Sequence, residues 1–156
     1  MTNILETYAG SQAKRPSESV RLAQLLSLPK PKRFDEITLA HQIAEGLPTC
    51  SVTALADLLG RSHVIGPVVP EATLRRLKKS LKPLPRKHSE RIYELGRVID
   101  ALAQAYHGDA ARIDDFLYRP HPLLDGETPF EMARSSSAGA HAVLNLVRRA
   151  VAGVVV

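Results

Sequence analysis

Tryptophan is absent from this sequence, and three Phe and four Tyr bring the aromatic content to only 4%. A hydrophobic core must therefore be built mainly from Leu, Val, Ile and Ala, which suits the packing of helices on one another. Hydrophobic residues still make up 44% of the 156 residues. That content is enough for one compact domain, or for two small helical domains that share a core.

Cysteine occurs once, as Cys50. A single cysteine excludes an intramolecular disulfide and a zinc site built on a cysteine pair, and it fits a reducing cytosolic compartment. The favoured interpretation of Cys50 is a small thiol buried in the core. The alternative is a thiol whose pKa is lowered by a neighbouring helix start.

Long apolar runs are also missing. No stretch approaches the roughly 18 apolar residues that a membrane span needs. Residues 1–10 lack the basic start and apolar run of a secretory signal. The sequence therefore predicts a soluble, cytoplasmic protein that has no membrane partner.

Known catalytic motifs are not found. The sequence has no His-Glu-x-x-His, no Gly-rich phosphate loop and no Gly-x-Ser-x-Gly. The six His are scattered, and no two of them lie four residues apart on one predicted helix, so a metal site is not expected. We expect a binding protein with no catalytic residue, no metal and no cofactor, and not an enzyme.

Capping residues and apolar periodicity predict an all-α fold. Residues 1–16 look weakly structured, and Gly139 is predicted to break the last part of the chain. The last helix then carries an apolar stripe of Val143, Leu146, Val147, Ala150 and Val151. Predicted helix starts lie at or just after Ser17, Asp35, Ser51, Pro70, Ser89, Asp109 and Thr128.

Positive charge is concentrated in residues 61–91, which hold nine basic and two acidic side chains. Inside this block, residues 70–80 are predicted to form a helix. Its apolar residues Leu74, Leu77 and Leu81 fall within about 60° of one another at 100° per residue, and basic side chains occupy the opposite arc.

With the helix that starts near Ser51, this basic helix has the outline of a helix-turn-helix, whose second helix enters the DNA major groove. The alternative is a basic helix that only faces solvent. Residues 63–70, which lie before the basic helix, are predicted to form a turn or a distorted helical fragment. The DNA-binding interpretation assigns the contacts to Thr73, Arg75, Arg76, Lys78 and Lys79.

The last residues, Gly153-Val154-Val155-Val156, are apolar. One interpretation is a tail that packs against the protein's own core. The other is a plug that enters the cleft of a partner. The chemistry of the residues leaves both open.

Several segments, taken in order, resemble one protein family. Gly46-Leu47-Pro48, Leu58-Leu59-Gly60 and Pro70-Glu71-Ala72-Thr73-Leu74-Arg75-Arg76 resemble the front half of the Xre/MbcA/ParS-type antitoxins. Ser89-Glu90-Arg91-Ile92, Tyr106-His107-Gly108-Asp109, Phe116-Leu117, the segment from Arg119 to Met132 and a final helix after Gly139 resemble the toxin-binding domain of that family. The resemblance covers residues 46–153.

This resemblance implies a partner and a mechanism. Such antitoxins bind RES-domain toxins, which degrade NAD or use it for ADP-ribosylation, and their C-terminal domain covers the toxin's NAD pocket. The helix-turn-helix often lets the complex repress its own operon. The resemblance assigns toxin contacts to Arg119, Arg148, Arg149, Gly153, Val154, Val155 and Val156, with residues 119–128 nearby.

We therefore expect an all-α helical bundle. An N-terminal extension (residues 1–45) would precede a helix-turn-helix-like region (46–85) and a toxin-binding helical domain (86–156). The function would be to neutralise a RES-domain toxin by blocking its NAD pocket, with repression at operator DNA and as a homo-oligomer. The alternative is a stand-alone DNA-binding regulator, which would keep its DNA affinity when the last four residues are removed.

Overall fold

The computed structural model describes residues 3–153, and its secondary structure is helical, as predicted. No strand forms in this range, and the only bridge outside helices joins Ile65 and Val69. The α-helices are α1 (Glu18–Leu25), α2 (Glu36–Glu45), α3 (Thr49–Leu59), α4 (Arg61–Val64), α5 (Glu71–Ser80), α6 (Arg86–Ala105), α7 (Ala110–Tyr118), α8 (Pro129–Ser135) and α9 (Ser137–Val151). Short 3-10 helices span Ile4–Tyr8, Gln12–Lys14, Pro31–Arg33 and Pro122–Leu124.

Four of the predicted helix caps are confirmed. The side chains of Ser17, Asp35, Asp109 and Thr128 each accept a hydrogen bond from a backbone N–H of the first turn that follows. At α2, the bond from the Thr38 N–H (2.7 Å) holds the pKa of the Asp35 carboxyl below its usual value. Each cap satisfies a donor that the helix itself cannot pair.

Two predicted caps lie inside helices instead. Ser51 is in the first turn of α3, and its buried hydroxyl donates to the Leu26 carbonyl (2.6 Å). Ser89 is in the first turn of α6, and its buried hydroxyl accepts from the Leu47 N–H (2.8 Å) and donates to the Leu84 carbonyl (3.3 Å). Both hydroxyls satisfy backbone groups of other segments, which the local pattern does not reveal.

The chain forms two compact units. The contiguous unit comprises residues 16–96, and the split unit comprises residues 97–153 together with residues 3–15. The division falls within α6, between Gly96 and Arg97, whereas the predicted domain boundaries were after residues 45 and 85.

In the contiguous unit, leucines from α1 and α3 form much of the core. Leu22, Leu26 and Leu55 are buried, and Leu22 and Leu26 contact Gly96 of α6. A backbone hydrogen bond from the Leu84 N–H to the Leu47 carbonyl (2.8 Å) ties the start of α6 to the segment before α3.

Residues 3–15 form two short 3-10 helices, whereas residues 1–16 were expected to be weakly structured. Leu5 and Tyr8 are buried in the split unit, and the Tyr8 hydroxyl donates to the buried Asp100 carboxylate (2.7 Å). The Arg15 guanidinium donates to the carbonyls of Tyr8 (2.5 Å) and Gly10 (3.1 Å). These partners lie far apart in sequence, so no local pattern predicts them.

The core of the split unit is formed by α6, α8 and α9. Val98, Ile99 and Leu102 of α6 are buried, and Phe130 of α8 is buried as well. On α9, Val143, Leu144, Leu146 and Val147 are buried. Leu144 was not in the predicted stripe.

Gly139 was predicted to break the chain. It lies instead in the first turn of α9. The break is at Ser136, whose extended backbone separates α8 from α9 and whose hydroxyl caps the Gly139 N–H (2.9 Å). Gly139 is required here because α9 approaches the end of α8 closely. A Cβ at this position would collide with the Met132 carbonyl.

Replacing Gly139 with Ala should therefore destabilise the protein. Backbone atoms cannot move aside as a flexible side chain can, so we expect a loss of about 1–3 kcal/mol in the free energy of unfolding. The loss should appear although Ala is the better helix former. Urea unfolding followed by circular dichroism measures it.

Gly10→Ala is the matched control, because no atom lies within 4 Å of a Cβ built at Gly10. Its free energy of unfolding should stay within about 0.5 kcal/mol of the wild type. Equal stability of the two variants would show that α8 and α9 are not in close contact at Gly139.

Candidate functional site

The outer end of α9 presents an apolar and basic surface. The predicted apolar stripe is buried only as far as Val147, whereas Ala150 and Val151 are exposed, Val151 by 66%. Arg148 and Arg149 are exposed in the same last turn. The apolar stripe of α9 thus extends one turn beyond the part that is buried in the core of the split unit.

Three of the predicted toxin contacts on this end lie in the structure, and three do not. Arg148, Arg149 and Gly153 are brought together at the C-terminal end of α9, and all are exposed. Val154, Val155 and Val156 lie outside the described residues. The two interpretations of the tail therefore both remain predictions.

Arg119, the remaining predicted toxin contact, lies on a different element. It follows the last residue of α7, is exposed, and its guanidinium forms an ion pair with Asp115 one turn earlier (2.7 Å). Arg119 lines a cleft of about 410 Å³ in the split unit, which we call the α7 cleft. Its lining residues are Tyr106, Ala111, Arg112, Asp115, Phe116, Arg119, Pro120 and His121.

Aromatic rings and a guanidinium form a row along the α7 cleft. The Tyr106 and Phe116 ring centroids are 6.5 Å apart, and those of Phe116 and His121 are 6.4 Å apart. The Arg112 guanidinium lies over the Tyr106 ring, 4.5 Å from its centroid. The prediction from sequence named Arg119 and placed residues 119–128 nearby, which includes Pro120 and His121. It did not include Tyr106, Arg112 or Phe116, whose contacts join α7 to the end of α6.

The loop after α7 contains a tight turn. Asp125 and Gly126 both have positive φ (+55° and +81°), and the Gly126 N–H donates to the His121 carbonyl (3.1 Å). The His121 Nδ1 accepts a hydrogen bond from the Leu123 N–H (3.1 Å). Leu123 itself is 52% exposed, so the loop adds an apolar side chain to this surface.

The basic helix α5 forms with the predicted bounds, but its apolar stripe is shorter than predicted. Leu74 and Leu77 are buried, whereas Leu81 is 92% exposed. The helix ends at Ser80, and Leu81 adopts the left-handed conformation (φ +56°), which turns it out of the stripe.

All five predicted DNA contacts lie on α5. Arg76, Lys78 and Lys79 are exposed, and Thr73 is half-buried. Arg75 is exposed too, but its guanidinium lies 3.5 Å from the Glu71 carboxylate. The helix therefore presents a basic face of which three side chains have no ion-pair partner among residues 3–153.

The segment before α5 is irregular, as predicted. Helix α4 has a single turn, and the Ile65–Val69 bridge closes the loop that follows it. Gly66 has a φ of +112°, which interrupts helical backbone. A regular helix therefore does not stand directly before α5, and DNA binding by α5 stays a prediction.

Cys50 was expected to be a thiol buried in the core, and this expectation is wrong. The thiol is exposed rather than buried, and its sulfur lies 3.7 Å from the Ser27 carbonyl oxygen. Because Cys50 is the second residue of α3, it points away from the face that packs Val52 and Leu55 into the core.

Between residues 3 and 153, no three His, Cys, Asp or Glu side chains are placed to hold a metal ion together. In the same range, no helix has the length and apolar character needed to cross a membrane.

Comparison with known families identifies the split unit. Residues 102–153 match the family model of the antitoxin Xre/MbcA/ParS C-terminal toxin-binding domain. The chain therefore carries a toxin-binding domain of the Xre/MbcA/ParS antitoxin type at residues 102–153, which supports an antitoxin. The matched region contains the α7 cleft and the exposed end of α9, so both surfaces lie on the toxin-binding domain. A comparison with curated proteins finds no match.

The family assignment bears on two further expectations. It supports a protein that binds a toxin, and it favours a non-enzymatic regulator. Residues 3–15 pack in the same unit of the antitoxin but lie outside the matched region.

Packing between α7 and α8 affects one ionisable group in this domain. The Tyr118 and Phe130 ring centroids are 5.4 Å apart. Burial, with a smaller contribution from the Asp114 carboxylate, raises the pKa of Tyr118 to about 12. The folded state therefore favours the neutral phenol.

This shift predicts a loss of stability at alkaline pH. Because the folded-state pKa is raised above the usual value near 10, the stabilisation is present below pH 10 and is lost as the pH rises towards about 12. Tyr118→Phe should flatten this part of the profile of unfolding free energy against pH. Urea unfolding between pH 8 and 11.5 measures it.

Tyr106→Phe removes a different phenol from the same unit and serves as control. It should keep the alkaline loss that the wild type shows. A Tyr118→Phe profile with the wild-type slope would mean that the Tyr118 phenol is not held neutral by its surroundings.

Proposed function

We propose that this antitoxin neutralises a RES-domain toxin that acts on NAD, and that it does so by covering the toxin's NAD pocket. The observation that carries the proposal is the match of residues 102–153 to a toxin-binding domain, which ends beside the exposed end of α9. The RES partner and the NAD pocket come from the resemblance to the antitoxin family.

The end of α9 has the chemistry of a plug. Val151 offers an exposed apolar contact, and Arg148 and Arg149 offer planar guanidinium groups that can bind carboxylates in pairs of hydrogen bonds. Interfaces commonly combine an apolar centre with such polar anchors. In this mechanism the antitoxin excludes NAD sterically, and it needs no cofactor or catalytic residue of its own.

Two further parts of the proposal concern assembly and location. The antitoxin would act in the cytoplasm, and it would self-associate within the toxin complex, since helix-turn-helix proteins usually read paired half-sites. Both rest on the sequence and on the resemblance.

Charge reversal at the end of α9 tests the plug. Arg148→Glu combined with Arg149→Glu should weaken binding of the toxin encoded by the neighbouring gene by about 30-fold or more, because each reversal leaves a toxin carboxylate facing a like charge. Removing residues 153–156 should also weaken toxin binding, so that the toxin becomes active again in cells. Affinity is measured with purified proteins, and cellular NAD is followed during co-expression.

Arg86→Glu is the control, because Arg86 is exposed and lies in the contiguous unit. It should bind the toxin like the wild type and keep NAD constant. Absence of any complex with the wild-type antitoxin would contradict the proposal. A complex whose toxicity leaves NAD unchanged would contradict the RES assignment alone.

DNA binding by α5 is a second candidate function, and the unpaired basic side chains Arg76, Lys78 and Lys79 favour it. Such side chains attract a phosphate backbone and release its counterions on binding. The antitoxin would then repress its own operon, either in complex with the toxin or, as the alternative, as a stand-alone regulator.

The variants Arg76→Ala and Lys79→Ala should each weaken binding to the operon's promoter DNA. If each side chain contacts one phosphate, each variant should lower the slope of log affinity against log salt by about 1. Fluorescence anisotropy at several salt concentrations measures the slope.

Lys14→Ala removes an exposed lysine from the split unit and should leave the slope as it is. Equal slopes for the wild type, Arg76→Ala and Lys79→Ala would exclude α5 as the DNA contact. Loss of DNA binding on removal of residues 153–156 would argue against the stand-alone regulator.

A further inference from the structure

We propose that the α7 cleft is a second docking site for the toxin and that it receives a carboxylate side chain of the toxin. The inference rests on the proposed toxin-binding function and adds a contact on a different element from the end of α9. All residues of the cleft lie within the described chain and, like the matched domain, within the split unit.

The helix places the charged side chains of the cleft on one face. Arg112, Asp115, Phe116 and Arg119 follow one another at i, i+3, i+4 and i+7, the spacing at which helical residues share a side. Two guanidinium groups therefore stand near the ends of the face, with one carboxylate between them.

Hydrogen-bond donors outnumber charged acceptors in the cleft. The Arg112 guanidinium lies over the Tyr106 ring and forms no ion pair with any residue between 3 and 153. One amino group of the Arg119 guanidinium pairs with the Asp115 carboxylate, and its other N–H groups have no partner among residues 3–153. Asp115 is the single carboxylate among the lining side chains.

His121 adds a further donor to this balance. Its Nδ1 accepts from the Leu123 N–H, so in the neutral ring the proton lies on Nε2. A group that accepts hydrogen bonds and carries negative charge would therefore complement the cleft better than any other. A carboxylate meets both conditions and pairs with guanidinium groups in a planar arrangement.

The aromatic rings make a protein side chain the fitting occupant. Tyr106 and Phe116 are only half-buried, so part of each ring is exposed beside the guanidinium groups. Partly exposed Tyr and Arg are the residue types that most often dominate protein interfaces. The cleft is lined by the exposed Arg112, Asp115 and Arg119, so it is open to a side chain presented on another protein's surface.

Two substitutions with opposite expected effects test the site. Arg112→Glu should weaken toxin binding at least tenfold at low salt, with most of the loss removed at high salt. Asp115→Asn should tighten toxin binding about threefold, because it removes the carboxylate that competes for Arg119. A general loss of folding cannot produce the second result.

Arg86→Glu makes the same charge change outside the matched domain and should bind the toxin like the wild type. Should Arg112→Glu fail to show the wild-type circular dichroism melting curve, Arg112→Gln replaces it, with a weaker but still salt-dependent loss expected. Calorimetry with AMP and with acetate, in the absence of toxin, should show no binding.

The outcomes separate the two proposals. A wild-type antitoxin that binds no toxin removes both. A second outcome is that the α9 double variant binds the toxin weakly, while Arg112→Glu and Asp115→Asn bind it as well as Arg86→Glu does. That outcome overturns the proposal for the cleft and supports the proposal for the end of α9. Binding of AMP that depends on Arg112 would make the cleft a nucleotide site and overturn the protein occupant.

Discussion

The toxin-binding domain depends on the close approach of α9 to the end of α8. Because Gly139 has no side chain, the first turn of α9 can lie against the Met132 carbonyl. The Ser136 cap fixes where α9 begins, and the buried valines and leucines that follow hold the rest of the helix in place. The exposed end with Arg148 and Arg149 is positioned by this packing, since it continues the same helix. The exposed end of α9 therefore continues a helix that is held by its own packing, which lowers the entropy lost on binding.

Features decided by neighbouring residues could be predicted from the sequence, and features decided by distant ones could not. The caps at Asp35 and Thr128 depend on backbone groups three residues away, so their pattern is visible in the sequence. Ser51 and Ser89 have the same chemistry, but their hydroxyls bind carbonyl and amide groups of other segments. Gly139 was interpreted as a helix break because its actual reason, the Met132 carbonyl, is not evident from the local pattern.

The candidate site divides in the same way. The order of motifs from residue 46 to 153 predicted the family, and the family model matches residues 102–153. The toxin contacts assigned to Arg119 and to the end of α9 remain predictions. The α7 cleft itself was not predicted, because Tyr106, Phe116 and His121 come from different segments and only the fold brings them together. The Phe116 ring lies 6.5 Å from that of Tyr106 and 6.4 Å from that of His121. A weak signal did exist, since Arg112 lies on a predicted helix and Arg119 follows seven residues later, at the start of the loop after that helix.

The split unit has a consequence for the order in which the antitoxin is made. Tyr8 is translated 92 residues before its buried partner Asp100. All residues of the contiguous unit are synthesised in between. The ends of this loop can meet only after residue 100 has emerged, and their meeting carries the entropy of closing a long chain segment. During translation the contiguous unit, which carries α5, is therefore complete before the toxin-binding domain. A nascent chain exposes the basic face of α5 while the toxin-binding domain is still incomplete.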